Sequence, residues 1–260
     1  MHIPDGFMSV PVALSGWIFA LPAIFWALYS SQEEDGSESV LAALLAASVF
    51  AAQTFQFPIP GGTTGHLVGA TLVVILVGAP LGLLVLTSVV ILQAVLFGDG
   101  GLLSLGWNLS NMGLVSGLVG GTLYGLFLRL KAPRFAAAVT AAWIATQLGA
   151  FCTAMELAVA GISPLAVSLA AMMSAQAITG LAEGLVTAGA LVFLARARPG
   201  LVQEAVALKP GAGVVAVIGL ASVAISFYLK SYLALGAFVV LLVVTLFAAL
   251  VLGAVGKLCS

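Results

Sequence analysis

The sequence predicts an all-α, polytopic transmembrane helical bundle, and three observations predict it. The composition is 62% hydrophobic and 7% charged, far from that of a soluble domain. Apolar runs recur along the chain, most of them near the roughly 17–25 residues that a spanning helix needs. The basic residues between those runs fall mainly on one side of the membrane, as cytoplasmic loops require.

Cut at polar or Gly/Pro breaks, the apolar runs are Met8–Tyr29, Val40–Phe57, Leu67–Val77, Leu81–Phe97, Trp107–Leu128, Phe135–Ala160, Leu165–Ala195, Val214–Leu229 and Leu233–Val255. The third run is too short to span. Residues 66–97 therefore read as two short helices broken at Gly78-Ala79-Pro80, the split taken for the topology below, or as one span plus a re-entrant piece; irregular backbone at that depth must be buried in protein or line a cavity. Small residues at Gly16, Ala20, Ala23 and Ala27 prepare the first helix for close approach, within the chain or to a partner.

Taken as nine helices with the N-terminus outside, Arg129, Lys131, Arg134, Arg196, Arg198, Lys209 and Lys257 fall inside and only Lys230 falls outside. That asymmetry follows the positive-inside rule. The acidic loop around Glu33–Glu38 also falls inside, where carboxylates carry little topological weight. Residues 1–196 form a seven-helix core, 197–212 a cytoplasmic linker punctuated by Pro199, Gly200 and Pro210, and 213–260 a C-terminal transmembrane hairpin. The location is the cell inner (plasma) membrane. A net charge of −1 offers no basic surface to nucleic acid. With no basic n-region and no small-residue cleavage site, the start of the chain does not read as a signal peptide, and Met1 is expected to be retained. Cys152 and Cys259 lie too far apart for metal-ligand spacing and read as small apolar residues.

On this topology one chemical feature stands out at the outer face. The tip Met1-His2-Ile3-Pro4-Asp5-Gly6 offers the Met1 amine, the His2 backbone amide and the His2 imidazole in succession. These form two fused chelate rings that lack a fourth donor for a square plane, a geometry suited to Ni²⁺, Cu²⁺ or Co²⁺. The chain has 2 histidines, and the other, His66, follows Gly61-Gly62-Thr63-Thr64-Gly65 on the same face. Pro4 and Gly6 can fold the tip back into a fixed pose, which lowers the ordering cost of binding. The expected metal ligands are Met1, His2 and His66; the alternative is a pair of interfacial imidazoles satisfied by water and carbonyls. The glycine-rich segment before His66 lacks the Lys-Ser/Thr ending of a phosphate loop.

Asp99, Asn108 and Asn111 lie near that face, where they either orient imidazole hydrogens or serve as loop polarity and helix caps. Glu156 and Glu183 are carboxylates inside apolar runs, each a functional candidate by position. Glu183 sits among small residues, which favours a buried hydrogen bond at a tight helix interface over ion passage.

Met1-His2-Ile3-Pro4-Asp5-Gly6-Phe7 and Gly62-Thr63-Thr64-Gly65-His66 resemble the CbiM/NikM family, the substrate-binding S components of energy-coupling factor (ECF) transporters for cobalt and nickel. Phe97-Gly98-Asp99-Gly100-Gly101, Asn111-Met112-Gly113 and Gly180-Leu181-Ala182-Glu183-Gly184 add to the resemblance, which covers roughly residues 1–196. It implies that the Met1 amine, the His2 amide and imidazole, and the His66 imidazole bind Co²⁺ or Ni²⁺ in a square plane. It also implies partners: a transmembrane T component, a pair of cytoplasmic ATPases and, in some systems, a small two-helix accessory membrane subunit. The 213–260 hairpin departs from that accessory subunit, because Lys230-Ser231-Tyr232 leaves almost no external loop. The expectation is a transport subunit, not an enzyme, with no resident cofactor and with ATP hydrolysis in other chains. Its rival is a self-contained proton- or ion-coupled carrier relaying through Glu156 and Glu183.

Overall fold

The computed structural model describes residues 1–31 and 36–198. The linker and C-terminal hairpin expected at 197–260, and most of the acidic loop, lie outside the described residues but for Ala197 and Arg198.

Helices α1 (Val10–Ser15), α2 (Trp17–Ser30) and α3 (Gly36–Gln53) are followed by an antiparallel pair, β1 (Phe57–Pro58) and β2 (Thr64–Gly65). Next come α4 (Ala70–Val77) and α5 (Ala79–Leu92), which continues as a π-helical turn over Gln93–Phe97. Then α6 (Leu105–Leu109) passes through a second π-helical segment, Ser110–Val119, into α7 (Gly120–Arg129), before α8 (Arg134–Val159) and α9 (Leu165–Ala197). Prolines mark the helix starts. Pro11 and Pro80 occupy first turns, where a missing N–H costs nothing, and Pro133 and Pro164 precede α8 and α9, fixing the entry angle.

Among the described residues, five stretches are long and apolar enough to cross a membrane: Val10–Ser30, Ala79–Phe97, Leu105–Arg129, Arg134–Val159 and Leu165–Ala197. This is a multi-pass helical membrane protein. The second apolar run ends earlier than its hydropathy suggests, because the helix stops at Gln53 and Phe57 pairs with Gly65 as strand. The predicted break between Leu67–Val77 and Leu81–Phe97 is present at Gly78, whose φ of +78° no L-residue adopts easily. At about 1.5 Å per residue, α4 is too short to span, and it is buried at every position except Leu72. That burial is what permits a half-helix at such depth.

The first span kinks at Gly16 and crosses α6 there, backbone against backbone. A Cβ on Gly16 would stand 2.4 Å from the Trp107 nitrogen, and one on Gly106 2.4 Å from the Trp17 nitrogen. Ala20, Ala23 and Ala27 are buried as well, so the small residues of the first helix serve contacts within the chain.

Candidate metal centre

Three stretches meet at one end of the bundle: the N-terminal tip, the loop from α3 to α4, and the glycine-rich loop before α6. The tip is tethered through its backbone. Ile3 donates its N–H to Asn108 Oδ1 at 2.8 Å, and its carbonyl accepts from Gly101 N at 2.9 Å, Ser104 Oγ at 2.6 Å and Asn108 Nδ2 at 3.1 Å. The Asn108 amide thus treats Ile3 as a strand partner would, satisfying both of its polar groups. A turn closes Pro4 O to Phe7 N with Gly6 at φ +88°. Glycine is the residue that tolerates this third position. Asp5 anchors the turn by accepting from the Leu102 and Leu103 N–H groups at 2.9 and 3.0 Å.

Tethering drives the chain end into the protein. Met1 is 0% exposed and His2 and His66 are each 1% exposed. The Met1 side chain packs beside Gly149 of α8, where an added Cβ would meet its Cε at 3.0 Å. The Met1 amine stands 2.7 Å from His66 Nε2. His66 Nδ1 lies 2.9 Å from the Leu67 carbonyl, which only accepts, so Nδ1 carries the proton and Nε2 turns its lone pair toward the amine. The His2 and His66 rings face each other, centroids 4.7 Å apart and 15° from parallel. Thr64 Oγ1 accepts from the Met1 amine at 3.4 Å and from the His2 amide at 3.3 Å.

The α3–α4 loop is held as firmly. Glu183 of α9 accepts the Val68 N–H at 2.7 Å and the Gly69 N–H at 2.9 Å, while Gln53 Nε2 donates to the Val68 carbonyl at 2.7 Å. Glu183 therefore supplies the cap that the N-terminus of α4 otherwise lacks, in line with the buried hydrogen bond expected of it.

The electrostatics favour neutral nitrogens. Burial pushes the Met1 amine from 8.0 down to about 4, against the pull of Asp99. Burial likewise lowers His2, and lowers His66 further because the amine and His2 stand beside it. Burial opposes charge on Asp99, yet the His2 ring and the Gln56 side chain outweigh it and hold Asp99 below its usual range. Asp99 Oδ1 lies 3.1 Å from His2 Nδ1, but off the line of a hydrogen bond, and neither ring nitrogen of His2 has a hydrogen-bond partner among the described residues. Leaving a buried ring nitrogen unsatisfied costs about 1–3 kcal/mol, a cost a bound cation would remove. Among the described residues no group of three His, Cys, Asp or Glu side chains is placed to hold a metal ion.

Of the residues expected beside the imidazoles, only Asp99 contacts one. Asn108 holds Ile3 instead. Asn111 is turned to α8, donating to Glu156 Oε2 at 2.7 Å and to Thr153 Oγ1 at 3.2 Å, so, of the two roles open to it, its amide N–H groups do not serve the imidazoles. Asp5 and Thr64 were legible as turn residues but not as anchors of the tip. A carboxylate before a glycine in a tight turn is the one signal that could have pointed to Asp5.

The sequence profile of the CbiM family, described as "cobalt uptake substrate-specific transmembrane region", matches residues 2–201. A putative metal transport protein of Haloquadratum walsbyi is 38% identical over 205 residues, covering 78% of this chain and 93% of that one. The cobalt transport protein CbiM of Sorangium cellulosum is 31% identical, covering 82% of this chain and 100% of its own. The fused nickel transport protein NikMN of Rhodobacter capsulatus is 34% identical, with 77% and 63% covered. A crystal structure of a truncated transition metal transporter superposes with a TM-score of 0.73 at 31% identity, covering 76% of this chain and 99% of that one.

Proposed function

From the premise that the chain belongs to the CbiM family of cobalt uptake substrate-specific transmembrane proteins, we propose that it captures Ni²⁺ or Co²⁺ at the outer face of the plasma membrane. The donors are the Met1 amine, the His2 amide nitrogen and Nδ1, and His66 Nε2. The observation that carries this reading is the 2.7 Å separation between the Met1 amine and His66 Nε2. Metal–nitrogen bonds of about 2 Å place neighbouring donors of a square plane about 2.8 Å apart. An ion entering there replaces one hydrogen bond by two coordinate bonds, with little movement of the main chain.

Charge balance supports the same donor set. A divalent ion, one deprotonated amide and the Asp99 carboxylate sum to zero, which a site this buried requires. Burial holds the Met1 amine at about 4 and both imidazoles below their usual range, which disfavours protons on all three and points to the His2 amide as the source of a displaced proton. Calorimetry in buffers of different ionisation enthalpy should therefore find about one proton released per ion at pH 7. The sign follows: affinity rises with pH and falls as pH drops, about tenfold per unit near neutrality, then more steeply once the amine and rings take up protons. Release of no proton would remove the amide from the donor set.

The family resemblance assigns the energy source to other chains: a T component and a cytoplasmic ATPase pair. On this reading residues 1–196 form the capturing core with its N-terminus outside, and the hairpin at 213–260 is a separate module. The rival carrier reading needs Glu156 and Glu183 as relay groups, but Glu183 is committed to backbone N–H groups and Glu156 to Asn111. Uptake of Ni²⁺ or Co²⁺ by cells expressing this chain should rise strongly when matching T and ATPase subunits are co-expressed. It should also survive collapse of the proton gradient at constant ATP. Full, gradient-dependent uptake by the chain alone would overturn the ATP-driven reading.

A further inference from the structure

Glu183 stands 115 residues along the chain from Val68 and is 2% exposed. Capping α4 accounts for its hold on Gly69. Its shorter bond, 2.7 Å to Val68 N, reaches a more consequential group. The N–H of Val68 and the carbonyl of Leu67 belong to the same planar peptide unit and point in opposite directions. That carbonyl is the one which accepts the proton of His66 Nδ1 at 2.9 Å. The Glu183 carboxylate, one peptide group and the His66 imidazole therefore form a continuous hydrogen-bonded line, and the far nitrogen of the ring, Nε2, faces the Met1 amine.

We propose that Glu183 is a positioning residue for the ion site, acting on His66 through the Leu67–Val68 peptide. A carboxylate accepting the peptide N–H polarises the amide and makes its carbonyl a stronger acceptor. The stronger acceptor holds the Nδ1–H tautomer and fixes the ring plane, which leaves Nε2 as a richer donor. Metal-bound histidines commonly pass their second N–H to a carboxylate or a carbonyl, and loss of that partner typically costs 10–100-fold in metal affinity. Here both partners act in series, with the peptide between them. The arrangement also ties the pose of His66 to α9, so a shift of α9 against α4 would be felt at the ion. This inference rests on the reading of His66 Nε2 as a donor, but its first consequence is visible without metal.

The test combines nitrogen NMR of the ion-free protein with titration of Ni²⁺ alone, using the full chain, Glu183→Gln and His66→Ala. The unaltered protein should show His66 purely as the Nδ1–H tautomer. Glu183→Gln keeps the volume but supplies one acceptor oxygen in place of two. It should mix the His66 tautomers, weaken Ni²⁺ binding at least tenfold and move the ligand-field band of the bound ion to lower energy. A structural clamp without the relay would weaken binding yet leave tautomer and band unchanged, and that result overturns the proposal. So does a variant that matches the unaltered protein in all three readouts. Should Glu183→Gln not fold, the unaltered protein decides. An Nδ1–H ring together with a strongly downfield Val68 amide proton supports the relay, and an Nε2–H ring or an ordinary Val68 shift overturns it. If instead His66→Ala binds Ni²⁺ normally, the donor assignment fails, while the tautomer result still reports on the hydrogen-bonded line.

Discussion

Adding a tag of several residues before Met1, or acetylating its amine, abolishes high-affinity Ni²⁺ and Co²⁺ binding, whereas a C-terminal tag leaves it intact. Either N-terminal change turns the amine into an amide, whose nitrogen donates only after losing its own proton and so cannot serve as the neutral anchor. The five-membered ring with the His2 amide then cannot form. Without an anchor on both sides, the metal cannot displace the His2 amide proton. Two nitrogens of four are lost together, and the expected loss is at least about a thousandfold, roughly 4 kcal/mol. The structure adds a steric reason. Met1 is 0% exposed and its amine sits between His66 and Thr64, so a preceding residue has no space unless the tip leaves the site. Isothermal titration of tagged and untagged protein measures the effect, and native affinity in the extended chain would exclude the chain end as a ligand.

His66→Ala lowers Ni²⁺ and Co²⁺ affinity by at least tenfold, about 1.4 kcal/mol, with the fold retained. In the proposed donor set the ring contributes one of four nitrogens, and its removal leaves the amine without its 2.7 Å partner. Retention of the fold follows from how the loop is held. Its hydrogen bonds to Glu183 and Gln53 and its pairing of β1 with β2 do not involve the imidazole. Imidazole added to the medium should partly restore affinity, because it can occupy the vacated volume and supply the missing nitrogen. Unchanged affinity in the variant would remove His66 from the donor set.

How much of this was legible in the sequence depends on which distances the chain itself fixes. The chelating tip is readable because its donors are consecutive, and no folding is needed to bring them together. Convergence with His66 followed from the two apolar runs before it, Met8–Tyr29 and Val40–Phe57, which return the chain to the face it started from. The break at Gly78-Ala79-Pro80, where a glycine and a first-turn proline punctuate a helix whatever surrounds them, decided only that this face reads as the outer one. The anchors were not readable. Asn108 and Asn111 are three residues apart and would share a face of an α-helix. The wider π-helical winding that begins at Ser110 turns Asn111 away from the tip and toward Glu156. Such winding is imposed by packing and leaves no compositional mark. The β1–β2 pair spans two residues per strand, too few for any alternation to register. Glu183 showed as a carboxylate among small residues, but that its partners are the amides beside His66 is a fact of tertiary structure.

The most direct measurement of the donor set is nickel K-edge X-ray absorption on the protein loaded with one Ni²⁺ per chain, with its N-terminus unmodified. Four nitrogen neighbours in a plane, with the pre-edge feature of square-planar Ni²⁺ and no oxygen shell, is the predicted result, and the feature should vanish in the N-terminally extended chain. A six-coordinate spectrum with oxygen neighbours, the same in both proteins, would contradict the chain-end site.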